Sequence, residues 1–273
     1  MKFKNVEAFT AYMQDDQPLK PANILNIVAT NQGKRPLTPS IPKAKPLSPE
    51  KVAQWMKEGH LIVDARSSAT FGAGHIPGSF NVQLSSSEFE QRVGWVTPDD
   101  SKIILVTDSD ADAQKAIYNM GFIALDNNIT GYLDGGIDAW MDAGYSVQTV
   151  GQMDVHTLQH RLSVNGLQVL DVRDGEEWDD GHIEAAHFMK FTSMAQQLDI
   201  PPQIDKLPFT KDQSIAVTCA TGKRSSTAIS MMLREGYKHL YNVTGGMEAW
   251  ENAGFDMIDH AGCVICKVPS ASD

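Results

Sequence analysis

Hydrophobic positions along the chain fall into two alternating patterns. Short unbroken apolar runs, Leu61-Ile62-Val63, Ile103 to Thr107, Val169-Leu170 and Ile215 to Thr218, have the length of strands buried on both faces. Between them apolar residues recur at helical spacing, as in Val52, Trp55 and Met56 or in Ala228, Ile229, Met232 and Leu233. Ser48-Pro49-Glu50 opens the first of these helices, with Ser as the N-cap and Pro at the first helical position. Short apolar strands alternating with helices predict an α/β fold whose sheets are mostly parallel, with helices on both faces.

The pattern occurs twice. Asp64-Ala65-Arg66 with Phe71, Gly74, His75 and Ile76 returns as Asp171-Val172-Arg173 with Trp178, Gly181, His182 and Ile183, each at an offset of 107. Gly135-Gly136, Trp140 and Ala143-Gly144 return as Gly245-Gly246, Trp250 and Ala253-Gly254 at an offset of 110, so three residues are inserted in the second copy. Two tandem domains result, 48–150 and 151–273, the second ending in a short tail. Ahead of them, Val6, Phe9 and Met13 keep helical spacing, but seven of the 13 prolines lie between Pro18 and Pro49. Segment 1–47 is therefore expected to be a Pro-rich strap or linker.

Composition narrows the function. With 23 Lys and Arg against 34 Asp and Glu, the net charge of −11 disfavours nucleic acid as a partner, since phosphates must be neutralised. No apolar run approaches the roughly 20 residues that cross a bilayer, and the first residues show no secretory signal, so a cytoplasmic protein without membrane contact is expected. Three cysteines, Cys219, Cys263 and Cys266, are too few for a disulfide scaffold, and their odd number leaves at least one free thiol.

Cys219 stands where such a thiol can act. The strand Ser214 to Thr218 runs into Cys219-Ala220-Thr221-Gly222-Lys223-Arg224, and a helical pattern follows from Ser225. A cysteine in a tight turn opening a helix lies where backbone N–H groups converge and the helix dipole is positive, a field that favours a thiolate. Lys223 and Arg224 add to it, and Gly222 tolerates the turn such a loop requires.

In these features the chain resembles the rhodanese family of sulfurtransferases from Ser48 to His260. The matching pieces are the Asp-x-Arg strand ends, the Gly-His-Ile turns, the Cys-x-x-Gly-x-Arg loop and the Gly-Gly-x-x-x-Trp helix, Gly245 to Trp250. The resemblance implies a tandem rhodanese whose second copy alone keeps the nucleophile, Cys219, with Ala220, Thr221, Gly222, Lys223 and Arg224 cradling the sulfur. It further implies transfer of a sulfane sulfur from thiosulfate or a thiol persulfide to cyanide, sulfite or a thiol, without a metal or other cofactor. Phosphatase-like relatives of the fold carry one residue more between Cys and Arg, and the four present here suit a terminal sulfur better than a phosphoryl group. A non-turnover sulfur carrier or regulatory module is the alternative.

Copy one reads Asp108-Ser109-Asp110-Ala111-Asp112 at the matching place, with Asp108 where Cys219 stands. Its carboxylates repel anions, and the spacing to Ala116-Ile117 makes this loop one residue shorter than its counterpart before Ala228-Ile229. Copy one is therefore expected to be inactive. Asp171 and Arg173, like Asp64 and Arg66, are expected to brace the strand ends, and His75 and His182 to serve the fold, because both copies hold them. The tail His260-Ala261-Gly262-Cys263-Val264-Ile265-Cys266 suits a zinc site, a redox pair able to resolve a persulfide, or an idle end. The Pro-rich start resembles the end of the metallo-β-lactamase-like domain in persulfide dioxygenase–rhodanese fusions, which makes a persulfide dioxygenase-like domain a candidate partner.

Overall fold

The computed structural model describes residues 4–15, 20–35, 40–164, 166–195 and 197–265, without the side chains of 11–15. Copy one holds strands β1 (Pro46–Leu47), β2 (Leu61–Asp64), β3 (Phe80–Asn81), β4 (Ile103–Val106) and β5 (Ile129–Leu133). Copy two holds β6 (Gly151–Met153), β7 (Leu167–Asp171), β8 (Ala186–Phe188), β9 (Ser214–Thr218) and β10 (His239–Val243). The sheet orders are β1-β5-β4-β2-β3 and β6-β10-β9-β7-β8, with parallel pairing throughout, so the repeat in sequence is a repeat in topology. A short antiparallel hairpin, β11 (Met257–Ile258) with β12 (Val264–Ile265), comes after them.

Helices α1 (Val6–Asp15) and α2 (Ile24–Asn31) precede the sheets, and α3 (Pro49–Lys57) to α7 (Gly136–Asp142) belong to copy one. Within copy one, α4 is Ser68–Ala73, α5 Phe89–Val96 and α6 Asp110–Gly121. Copy two carries α8 (Val155–Val164), α9 (Gly175–Asp179), α10 (Phe191–Met194), α11 (Lys223–Arg234) and α12 (Gly246–Asn252). Ser48 caps α3 by accepting from Lys51 N at 3.4 Å, with Pro49 in the first turn where its missing N–H is harmless.

Strand alternation sends side chains to two different cores. Ile62, Ile104 and Val106 join Val52 and Trp140 in a core private to copy one, and Val169 and Ala216 join Leu158 and Trp250 in one private to copy two. The opposite faces, with Val63 and Leu105 from one sheet and Leu170, Ile215 and Val217 from the other, belong to a single core that runs across both copies. Cys219 is part of that shared core. Polar contacts fix the seam: Ser226 Oγ on α11 donates to Asn81 Oδ1 at 2.5 Å, and Asn81 Nδ2 donates to the carbonyls of Asp64 and Arg66 at 3.0 Å. The Arg234 guanidinium donates to Gly78 O and lies over the Phe80 ring, 4.4 Å from its centroid.

The N-terminal segment is more structured than its prolines suggest. Lys20 O accepts from Leu198 N of copy two at 3.1 Å, whereas the buried Asn23 donates to Ile123 O of copy one at 3.3 Å. It is thus a clasp across both copies, and α2 lies inside the stretch read as a strap or linker. Pro18, Pro36 and Pro39 lie outside the described residues.

Both strand-end braces share one geometry. Arg173 contacts the buried Asp171 carboxylate through Nε and Nη2, at 2.8 and 2.7 Å from Oδ2, and donates from Nη2 to Gly181 O at 2.8 Å. Arg66 holds Asp64 by both oxygens, Nε 2.9 Å from Oδ1 and Nη2 2.6 Å from Oδ2, and donates from Nη2 to Gly74 O at 2.8 Å. Fully paired, these buried charges tie each second strand to the turn beyond it.

His75 sits in that turn, stacked 3.8 Å over the Phe71 ring with Nδ1 2.9 Å from Phe71 O. Burial holds its imidazole down at about 4, well below its ordinary value. Such a histidine is neutral in the fold but takes a proton in the unfolded chain, so stability is lost as pH falls from about 6.5 toward 4. Urea unfolding should show a loss of roughly 3 kcal/mol over that window. In His75→Gln that increment should be missing, leaving a shallower decline on acidification.

Candidate active site

The six residues singled out by sequence are contiguous and form one turn. β9 ends at Thr218, Cys219 to Gly222 make the loop, and Lys223 and Arg224 begin α11. Gly222 takes a left-handed φ of 86°, and no side chain caps the helix. The Cys219 sulfur accepts from the N–H of the cap residue itself, Gly222 N, at 3.2 Å. Cys219 Sγ also lies 3.5 Å from Ser225 Oγ, whose hydroxyl donates to Asn242 Oδ1 at 2.6 Å. Asn242 Nδ2 donates to Gln152 Oε1 at 3.2 Å, and Gln152 Nε2 to Ser68 O of copy one at 3.3 Å. A line of hydrogen bonds therefore links the thiol, only 1% exposed, to the partner domain.

The glycine pair supports the loop from below. Met247 N donates to Cys219 O at 2.8 Å and Glu248 N to Ala220 O at 3.0 Å. In a trans peptide the C=O and N–H point opposite ways, so pinning these two carbonyls to α12 turns the next amides away from it. The approach is close enough to need glycine: a Cβ on Gly246 would lie 2.2 Å from Cys219 O and 2.5 Å from Ala220 O.

Arg224 faces a partner that sequence reasoning missed. Its fork is taken by Glu177, with Nη1 and Nη2 at 2.7 and 2.6 Å from the carboxylate oxygens, and Nη1 lies 3.2 Å from Asp174 Oδ2. The guanidinium grips the loop that opens α9, not the backbone carbonyls of its own loop. Burial works against its charge, yet the Glu177 hydrogen bonds and the fields of Cys219, Glu177 and Asp174 hold its pKa above the usual guanidinium value. Burial would likewise raise Glu177, but its hydrogen bonds to Arg224 and to the Asp174 N–H keep it below the usual carboxylate range. Lys190 completes the rim at 2.8 Å from Asp174 Oδ1. Lys223 is half-buried, and no described carboxylate pairs with it.

Copy one is built differently at the same place, and the register corrects the expectation for it: Val106 pairs with Asp64 as Thr218 does with Asp171, so Thr107 and not Asp108 holds the position of Cys219, the shorter loop having shifted the count by one. Three residues separate β4 from α6, against four between β9 and α11. Ser109 caps α6 in the ordinary way, accepting from Asp112 N at 3.1 Å and donating to Asp112 Oδ2 at 2.6 Å, so the helix end is already satisfied. A cavity of about 360 Å³ remains, lined by Asp108, Asp110, Asp138 and Tyr132 among others. Burial and the Asp110 hydrogen bond push the Tyr132 hydroxyl up to about 12. Tyr132 stands at the offset of 110 from Asn242, so the residue that steadies Ser225 in copy two has no counterpart.

His182 repeats the His75 arrangement, with Nδ1 2.9 Å from Trp178 O and its ring stacked 3.4 Å from Trp178. In the tail Cys263 is exposed, its N–H held at 2.8 Å by Asp259 Oδ1. Cys266 lies outside the described residues, and among those described no group of three or more His, Cys, Asp or Glu could hold a metal ion. No described helix is long and apolar enough to cross a membrane. Ser225, Asn242 and Glu177 were all missed. A polar Asn within the strand His239–Val243, at a position where the copies differ, was the available signal for one of them.

With fold and site in view, comparison with known proteins gives the class. A model of the rhodanese-like domain matches the chain twice, over residues 48–143 and 154–253. The chain belongs to the rhodanese-like domain family and carries two copies of that domain in tandem. It is 36% identical over 115 residues to Protein HIGH ARSENIC CONTENT 1, mitochondrial, of Arabidopsis thaliana, covering 40% of this chain and 67% of that one. It is 27% identical over 101 residues to thiosulfate sulfurtransferase GlpE of Shewanella oneidensis, covering 37% and 92%. Among solved structures, the rhodanese-like domain of an Anabaena sp. protein aligns at 27% identity with a TM-score of 0.33, covering 44% of this chain and 83% of that one.

The two glycine pairs offer an internal control. Gly246 and Gly136 both have left-handed φ, 57° and 63°, but a Cβ on Gly136 would meet nothing closer than Thr107 O at 3.7 Å. Gly136→Ala should lose only the left-handed strain, about 1–2 kcal/mol. Gly246→Ala should lose clearly more in urea unfolding and displace the Cys219 loop, read as an altered rate of thiol alkylation.

Proposed function

We propose that the chain is a sulfurtransferase in which Cys219 carries the sulfur. The observation that carries this reading is the Cys219 sulfur held at the N-terminal end of α11, accepting from Gly222 N at 3.2 Å and lying 3.5 Å from the Ser225 hydroxyl. The Cys219 thiolate attacks the sulfane sulfur of thiosulfate or a thiol persulfide. A sulfur–sulfur bond forms to Cys219 as the donor's own sulfur–sulfur bond breaks, and the leaving group departs with the electron pair as sulfite or thiolate. A thiophilic acceptor, cyanide, sulfite or a thiol, then attacks the outer sulfur and returns the electron pair to Cys219. Two-step transfer of this kind divides one difficult displacement into two easier ones.

The name of the Shewanella relative, thiosulfate sulfurtransferase, supports the donor class. A short loop supports it too, since the four residues between β9 and α11 leave room at the sulfur for one terminal sulfur atom better than for a phosphoryl group. A persulfide dioxygenase-like domain is the partner we propose on the resemblance of the N-terminal segment, as the reaction that would consume or supply a thiol persulfide. The competing reading, a carrier without turnover, shares the persulfide but not steady-state kinetics. Asp171 and Arg173 act in this scheme by holding the strand end beside the loop.

Incubation with thiosulfate should add about 32 Da, one sulfur atom, to the peptide containing Cys219. Cys219→Ser should lose both the adduct and transfer to cyanide, and full transfer by that variant would overturn the assignment. Lys223→Ala should raise KM for thiosulfate roughly three- to tenfold, an effect that shrinks with salt, and change little with an uncharged donor. Arg224→Ala should lower transfer from charged and uncharged donors alike, because its charge is committed to Glu177.

A further inference from the structure

Three side chains, Ser225, Asn242 and Gln152, join the Cys219 sulfur to the neighbouring domain, and each hydrogen bond between them has a direction. β6 and β10 pair with Gln152 opposite Asn242, which sets the two amides side by side. At the far end Gln152 Nε2 meets the carbonyl of Ser68 in copy one, at 3.3 Å. The amide fits closely there, since a Cβ on Gly72 of the same helix would lie 2.4 Å from Gln152 Nε2. In copy one the matching register pair is Pro46 with Tyr132, neither of which carries an amide side chain.

A carbonyl can only accept, so Ser68 O obliges Gln152 to turn its NH2 group toward copy one and its Oε1 toward Asn242. Asn242 must then offer Nδ2 to Gln152, at 3.2 Å, and Oδ1 to Ser225. The one proton of the Ser225 hydroxyl is thereby committed to Asn242 Oδ1, at 2.6 Å, and lone pairs are what Ser225 presents to the sulfur. In that arrangement the Cys219 S–H donates to Ser225 Oγ across 3.5 Å. Gln152 stands exposed at the rim, but Asn242, Ser225 and Cys219 are buried, which leaves bulk water little part in their bonds. A thiolate in the same place would lose its donor bond and face the lone pairs of Ser225.

We infer that copy one, through Gln152, fixes the direction of this line and so holds the Cys219 sulfur as the thiol, with Gln152 a positioning residue for the nucleophile. The inference rests on the sulfur-transfer reading above and adds what governs the supply of its thiolate. The N-terminal end of α11 draws the sulfur toward the anion, and the line from Ser68 opposes it. When the line is cut at Gln152, Asn242 is free to turn its amide, Nδ2 donates to Ser225 Oγ, and the hydroxyl proton is turned to the sulfur. The thiol proton then passes to solvent, and the thiolate gains a hydrogen bond in place of a repulsion. The charged groups beside the loop, Arg224, Glu177 and Asp174, are the same in both arrangements.

The test uses the whole chain at neutral pH and two readouts: the ultraviolet absorbance of the thiolate that disappears in Cys219→Ser, and the rate at which iodoacetamide alkylates the Cys219 peptide. In Gln152→Met, which keeps the length of the side chain but carries no amide, the absorbance is expected to rise and the alkylation rate to increase about three- to tenfold. In Gln152→Glu an oxygen still accepts from Asn242 Nδ2, so both readouts are expected to stay at or below the native level. In Ser225→Ala the line no longer reaches the sulfur, and adding Gln152→Met to it is expected to change neither readout. Equal readouts in Gln152→Met and the native chain would overturn the inference. So would a rise of the same size in Gln152→Glu, or one that persists when Gln152→Met is placed in Ser225→Ala. Neither readout uses a sulfur donor, so a failure of Cys219 to transfer sulfur and a failure of the line are told apart. Gln152 is exposed, so its substitution removes no packing from the core.

Discussion

The end of helix α11 sets the terms for the rest of the molecule. A helix leaves its first N–H groups without intrahelical partners, and in most helices a Ser, Thr, Asp or Asn side chain takes one of them. At α11 no side chain does so, and the sulfur of Cys219 receives the N–H of the cap residue, Gly222. Everything around the loop serves to keep that arrangement. Gly222 supplies the left-handed turn, the α12 amides hold the carbonyls of Cys219 and Ala220, and Ser225 and Asn242 fix the far side of the sulfur. Copy one carries an ordinary cap at the same place: Ser109 and Asp112 satisfy the helix among themselves, and no reactive group stands at its end.

The seam between the copies is part of the same construction. Because each sheet turns one face to the shared core, α11 is packed from the copy-one side at Asn81 and Phe80 as well as from its own strands. The hydrogen-bonded line from Cys219 through Ser225, Asn242 and Gln152 ends on Ser68 of copy one. Copy one has no cysteine, but it is a wall of the site and a support for its helix. Removing it would expose the apolar face on which Cys219 itself is packed.

Much of this was legible in the residues alone. The tandem repeat, the α/β class and the Cys219 loop were readable from short glycine-rich and charged motifs, whose chemistry is local and whose order is fixed by the chain. What escaped was non-local. Strands β3 and β8, at Phe80–Asn81 and Ala186–Phe188, are too short for any periodicity, and exist because a neighbouring strand supplies their hydrogen bonds. Helix α2 is hidden among prolines that flank it without interrupting it. Glu177 could not be matched to Arg224 because 47 residues separate them, and the expectation that Arg224 would help cradle the sulfur overlooked a carboxylate brought in beyond another strand end. Asn242 reads as an ordinary strand residue until Ser225 is seen beside it.

In the proposed transfer one sulfur atom, on Cys219, passes through this loop. Single-turnover labelling tests it most directly: the chain is loaded with thiosulfate whose sulfane sulfur is radioactive, freed of excess donor, and then mixed with acceptor. One equivalent of label per chain is expected, despite three cysteines in the sequence, with complete discharge to the acceptor. Label that remains on the protein, or that resides on Cys263, would contradict the claim.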